Sequence, residues 1–314
     1  MYGQQNMEVD VASRISGIHL RIALFLAVLV GQRRDLAGTG ALIAGYAVFV
    51  ALSAAVVWKI GAAKTASGRA REHPGFLPAV LLLAGPLTLL LGASFTAEPT
   101  SARPGDYVLN TTAILLGSVI LVTGFVVLFA KLWDAEERLL PVLGLAALLV
   151  GTASWLANLV FRYAVVASGA AGLQTEVEDR AWVAHEYLLG LQGEPSWMEL
   201  LLMWTDMLQL AFVLLAYLAS AAFGAALVRV RWLGKVGGNV FVALNLALAL
   251  AVAIVLILAG SGSAVAAWTV FILTISFMVF ILPYFMGVAL IQRGSRQERA
   301  VRKNLPAPEV PAAR

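Results

Sequence analysis

Two charged residues, Arg162 and Asp206, lie inside apolar runs at 139–166 and 200–228. A charge at the centre of a hydrocarbon layer costs roughly 2.5–3.5 kcal/mol on insertion scales, so such residues face protein or water and often mark a site. Helical steps of three and four put Gly151, Trp155, Asn158 and Arg162 on one face. The same count aligns Glu199, Leu202, Asp206, Gln209, Val213, Ala216, Ser220 and Gly224 on a face of the next run. One outer loop joins the two runs, so they are expected to be neighbours. That predicts an Arg162–Asp206 ion pair, supported by Asn158 and Gln209 beside Trp155, at the floor of an outward-facing polar cavity. The competing expectation starts the second span at Asp206, with Trp197 and Trp204 as its interfacial belt and Arg162 snorkelling outward. Ala216, Ser220 and Gly224 form a small-residue seam that lets backbones approach closely. Ordinary helix packing also produces stripes of this kind.

Other chemistries lose their markers. The chain has no cysteine, which excludes disulfides, thiolate metal sites and a cysteine nucleophile. A bis-histidine haem needs facing histidines within spans, but His19 is near a helix end and His73 and His185 are in loops. A retinal Schiff base needs a lysine in mid-membrane, and Lys59, Lys131 and Lys235 sit at span ends. Neither a phosphate-binding loop nor a dinucleotide glycine fingerprint occurs, nor a paired aspartate motif for magnesium and diphosphate. Serine or aspartyl intramembrane protease motifs are likewise missing from the spans. The reading therefore expects no catalytic residues, cofactor or metal, and leans away from an enzyme.

The elements that position these residues follow from composition. Hydrophobic residues make up 61% of the 314 and charged residues 13%, against roughly 45–50% and 25% in a soluble domain. Runs at 37–58, 77–94, 108–130, 139–166, 200–228, 238–259 and 265–291 are each long enough to span a bilayer. Residues 15–31 are an eighth candidate that either spans or lies in the interface, because His19 and Arg21 sit near one end. The expected fold is all-α, a polytopic transmembrane helical bundle of about eight spans, or seven plus an N-terminal interfacial helix. A single transmembrane domain over 1–292 precedes a disordered basic tail at 293–314.

Lys and Arg decide orientation, since short cytoplasmic loops retain them. Lys59, Lys64, Arg69, Arg71, Lys131, Arg138, Arg229, Arg231, Lys235 and the tail lie on one side. Only Arg103 and Arg180 occupy the alternate loops after residue 93, and placing Arg33 and Arg34 with them leaves the bias intact. The C-terminus is expected in the cytoplasm. The net charge of +4 therefore reports topology and points to no nucleic acid. The outer loop at 167–199 is acidic and long enough for a surface helix, with Trp182, Tyr187 and Leu188 as contacts. Pro283, with Thr274 and Ser276 before it, is placed to kink the last span.

The segments GAALVRVRWLGKVGG at 224–238 and PYFMGVALIQRG at 283–294 resemble uncharacterised bacterial polytopic integral membrane proteins. In those, a basic inner turn followed by WLG opens the next helix. The resemblance implies a bacterial plasma membrane and no particular activity. Two functions stay open: binding or transport of a small solute or lipid through the polar cavity, and a non-catalytic scaffold or accessory subunit. The partners expected are the lipid bilayer, a small solute or lipid ligand, and membrane proteins or further copies of the chain.

Overall fold

The computed structural model describes residues 48, 50–59, 64–65, 68–69, 73–94, 104–167, 197–259 and 278–304. In chain order these are α1 (Val50–Lys59), a two-stranded antiparallel hairpin of β1 (Lys64–Thr65) and β2 (Gly68–Arg69), and α2 (Phe76–Ser94). Then come α3 (Pro104–Asp134), α4 (Leu139–Ala167), α5 (Trp197–Arg229), α6 (Lys235–Ala259) and α7 (Met278–Asn304). Among the described residues, four segments are long and apolar enough to cross a membrane: Thr111–Asp134, Leu139–Phe161, Met207–Arg229 and Lys235–Ile254. Residues 15–31 and the loop from 168 to 196 lie outside the described residues, as do Thr274 and Ser276. α7 continues as helix to Asn304, beyond Gln292 where the apolar run ends. The Arg, Gln, Glu and Lys that follow are themselves good helix formers.

Helix ends are closed by recognisable local devices. α2 starts from a turn in which the Gly75 N–H donates to His73 Nδ1 at 3.1 Å and the Phe76 N–H to the His73 carbonyl at 2.9 Å. α3 ends in a Schellman motif: Glu137 N–H donates to the Leu132 carbonyl and Glu136 N–H to that of Trp133, both at 3.1 Å. α5 ends the same way, with Trp232 N–H on Leu227 O at 2.8 Å and Arg231 N–H on Val228 O at 3.1 Å. The left-handed positions of these caps are held by Glu136 (φ 65°) and Arg231 (φ 61°), where glycine is the usual residue. The two turns meet at one end of the bundle. Arg229 there contacts Glu137 at 3.3 Å, and the Trp232 ring lies edge-on to His73 with centroids 5.8 Å apart.

Apolar surface drives helix association weakly in lipid, so close backbone approach has to supply the packing. Glycines provide it here. A Cβ on Gly117 of α3 would fall 2.7 Å from the Leu89 nitrogen of α2, and one on Gly85 would fall 2.8 Å from the Leu121 backbone. Gly287 brings α7 against α2, where a Cβ would sit 2.8 Å from the Ala79 carbonyl oxygen. Gly144 and Gly151 of α4 receive Phe223 and Leu215 of α5. Around these contacts Leu82, Phe125, Leu128, Leu132, Phe223, Leu227, Tyr284 and Met286 make the main core, with Phe125 and Phe223 5.0 Å apart. α5 is the most enclosed of the long helices. α4 and α6 expose outward apolar faces, among them Val142, Leu149, Val160, Val240, Leu250 and Ile257.

Gly117→Ala is expected to lower stability by about 1–3 kcal/mol in detergent unfolding, because the α2 backbone leaves no room. Gly237→Ala meets nothing within 4 Å and serves as the neutral control. Glu136→Gly is expected to raise stability by about 1 kcal/mol through relief of the left-handed backbone, measured as the shift in unfolding midpoint.

Candidate functional site

α3 and α4 form a hairpin, and the turn between them sets which residues face each other. Ser118 and Trp155 are each sixteen residues from the helix ends that the turn joins, Asp134 and Leu139. Their side chains meet: the Trp155 Nε1–H donates to Ser118 Oγ at 3.2 Å, and Ser118 donates onward to the Ile114 carbonyl at 2.8 Å. The Trp155 ring stacks on Phe212 of α5 with centroids 5.1 Å apart and planes 24° from parallel. Phe280 of α7 closes the group, 6.3 Å from Trp155 and 6.0 Å from Phe212. An indole inside a bundle needs an acceptor for its one donor, and Ser118 is that acceptor.

α4 and α5 run antiparallel, with Gly144 against Phe223 and Gly151 against Leu215. Continuing that register one more heptad sets Asn158 at the level of Leu208, one residue from Gln209. Asn158 is 1% exposed and Gln209 half-buried. Arg162 is one turn further along α4 and Asp206 one turn earlier in α5, both at helical positions. Their side chains lie outside the described residues. Trp155 and Asn158 are thus brought to the inner side of α4, on the face that Gly151 packs against α5.

The small-residue seam faces inward. Ala216, Ser220 and Gly224 are all buried, and a Cβ on Gly224 would sit 2.8 Å from the Phe241 ring of α6. Ala216 and Ser220 instead border a cavity of about 20 Å3 together with Ser118, Thr152, Trp155 and Pro283. Its walls are mainly apolar, with three hydroxyl-bearing side chains among them. Among the described residues, no three His, Asp or Glu side chains gather as a metal-binding group.

Sequence reasoning missed three features of this interior. The Ser118 partner of Trp155 was accessible from hairpin register alone. Tyr217 and Asn245 are buried at 1% and 0% exposure. Among the described residues, the Tyr217 hydroxyl and Asn245 Oδ1 have no hydrogen-bond partner, while Asn245 Nδ2 donates to the Phe241 carbonyl at 2.8 Å. No spacing rule singles these two out, since each looks like a single polar residue in an apolar helix.

Comparison of the chain with protein-family models, curated proteins and solved structures finds no match. The fold and site therefore stand on their own geometry. Ser118→Ala strands the Trp155 indole N–H and is expected to cost about 1–2 kcal/mol. Ser118→Thr keeps an acceptor and is expected to cost less. Comparing their unfolding midpoints in mixed detergent micelles checks the difference.

Proposed function

We propose that this chain is a multi-pass protein of a bacterial plasma membrane that binds or moves a small polar solute or lipid through a polar site between α4 and α5. The observation that carries the reading is the α4–α5 register. Extended along both helices, it supports a level for buried Asn158 within a residue of Gln209 and, a turn further on, a level for Arg162 within about two residues of Asp206. Two opposite charges and two amides at similar depth, beside the Trp155 ring, suit a ligand that carries both polar and apolar parts. An Arg162–Asp206 pair lowers the cost of holding either charge in hydrocarbon and supplies a donor fork and a carboxylate for recognition.

The proposed topology has eight spans with the C-terminus in the cytoplasm. Support comes from Lys131, Arg138, Arg229, Arg231 and Lys235, which all lie at the end where the α3–α4 and α5–α6 turns meet. Short loops rich in Lys and Arg stay on the cytoplasmic side. Because the chain has no cysteine of its own, single-cysteine variants report this directly. Arg180→Cys is expected to react with a membrane-impermeant maleimide on intact cells, and Arg231→Cys only after permeabilisation.

Native mass spectrometry of the purified chain tests the function. A bound small molecule or lipid is expected to remain on the wild type and to be lost from Asn158→Leu and Gln209→Leu. The swap Arg162→Asp with Asp206→Arg is expected to recover the stability and ligand retention that each single change loses. Retention unaffected by all four changes sinks the reading. A stoichiometric protein partner in place of a ligand favours the accessory-subunit role instead.

A further inference from the structure

Pro283 has no N–H, so the carbonyl of Val279 one turn earlier in α7 lacks the donor that an uninterrupted helix would give it. Spanning helices tolerate proline where hydroxyls, neighbouring helices or ordered water satisfy the freed carbonyl. Val279 and Pro283 both border the cavity described above, opposite Ser118 of α3, Thr152 of α4 and Ser220 of α5. The cavity measures about 20 Å3, against the roughly 10–15 Å3 that one water requires along with two to four polar partners.

We propose that this cavity is a binding site for a single water molecule that bridges the Val279 carbonyl to the hydroxyls of α3, α4 and α5. Ser118 Oγ already donates to Ile114 and accepts from Trp155, which leaves it one lone pair for a water proton. The second water proton goes to the Val279 carbonyl, and the water oxygen accepts from the hydroxyls of Ser220 and Thr152. A cation fits this site poorly. None of the bordering side chains is a carboxylate, and hard cations bind through charged oxygens or full oxygen shells. The three hydroxyls on otherwise apolar walls supply the polar partners that a single water needs. The water therefore joins four helices at mid-span and completes the hydrogen bonding that Pro283 interrupts.

A mutant cycle on the full-length chain in lipid nanodiscs tests the site. Ser220→Ala is expected to lower the unfolding temperature in the wild-type background. In a Pro283→Ala background it is expected to lower it by less than half as much, because the new alanine N–H takes over the Val279 carbonyl and the water matters less. Equal drops in both backgrounds, or no drop in either, overturn the proposal. An experimental structure of the wild-type chain in lipid decides independently of how well the variants fold: density within hydrogen-bonding distance of Ser118 Oγ and Ser220 Oγ is expected, and a void without density refutes it. Ligand loss at Asn158 and Gln209 is a separate readout, so either idea can fail without the other.

Discussion

Backbone proximity is the constraint on which the rest of the bundle depends. Two helices immersed in hydrocarbon gain little by hiding apolar surface from it, so dispersion at short range has to do the holding. Gly85 and Gly117 let α2 and α3 come so near that neither position has room for a methyl group. Gly287 does the same for α7 on α2, and Gly144 and Gly151 do it for α4 on α5. Where backbones touch, register is fixed to within a residue. Between α4 and α5 that register brings Asn158 within a residue of the level of Gln209, while the α3–α4 turn sets Trp155 opposite Ser118.

Much of the architecture was legible in the sequence because its cause is local. The apolar runs at 108–130, 139–166, 200–228 and 238–259 fall within α3, α4, α5 and α6, since length and hydropathy alone determine whether a segment can be a spanning helix. The face containing Gly151, Trp155 and Asn158 also follows from helical periodicity, and the structure turns it toward α5. The seam of Ala216, Ser220 and Gly224 is buried for the same reason. The left-handed caps were not legible. Glu136 and Arg231 occupy positions that glycine normally marks, so neither turn carried its usual signal.

What eluded sequence reasoning depends on tertiary placement. The group of Trp155, Phe212 and Phe280 draws on three helices, and which helices adjoin is not encoded in any one of them. Tyr217 and Asn245 are polar residues in otherwise apolar stretches, and only burial reveals that each has a polar atom without a partner among the described residues. The side chains of Arg162 and Asp206 lie outside the described residues, so helix position alone relates the two.

The two abrupt chain reversals at Glu136 and Arg231, linked by Arg229 and Glu137, lie together at one pole of the bundle. The opposite ends of α4 and α5 are joined only through some thirty residues of chain. For a helix of about 23 residues rising 1.5 Å each, a tilt of about 5° about the basic pole would move its far end by about 3 Å. The same tilt would move the depth of Asn158 and Gln209 far more than the charged turns.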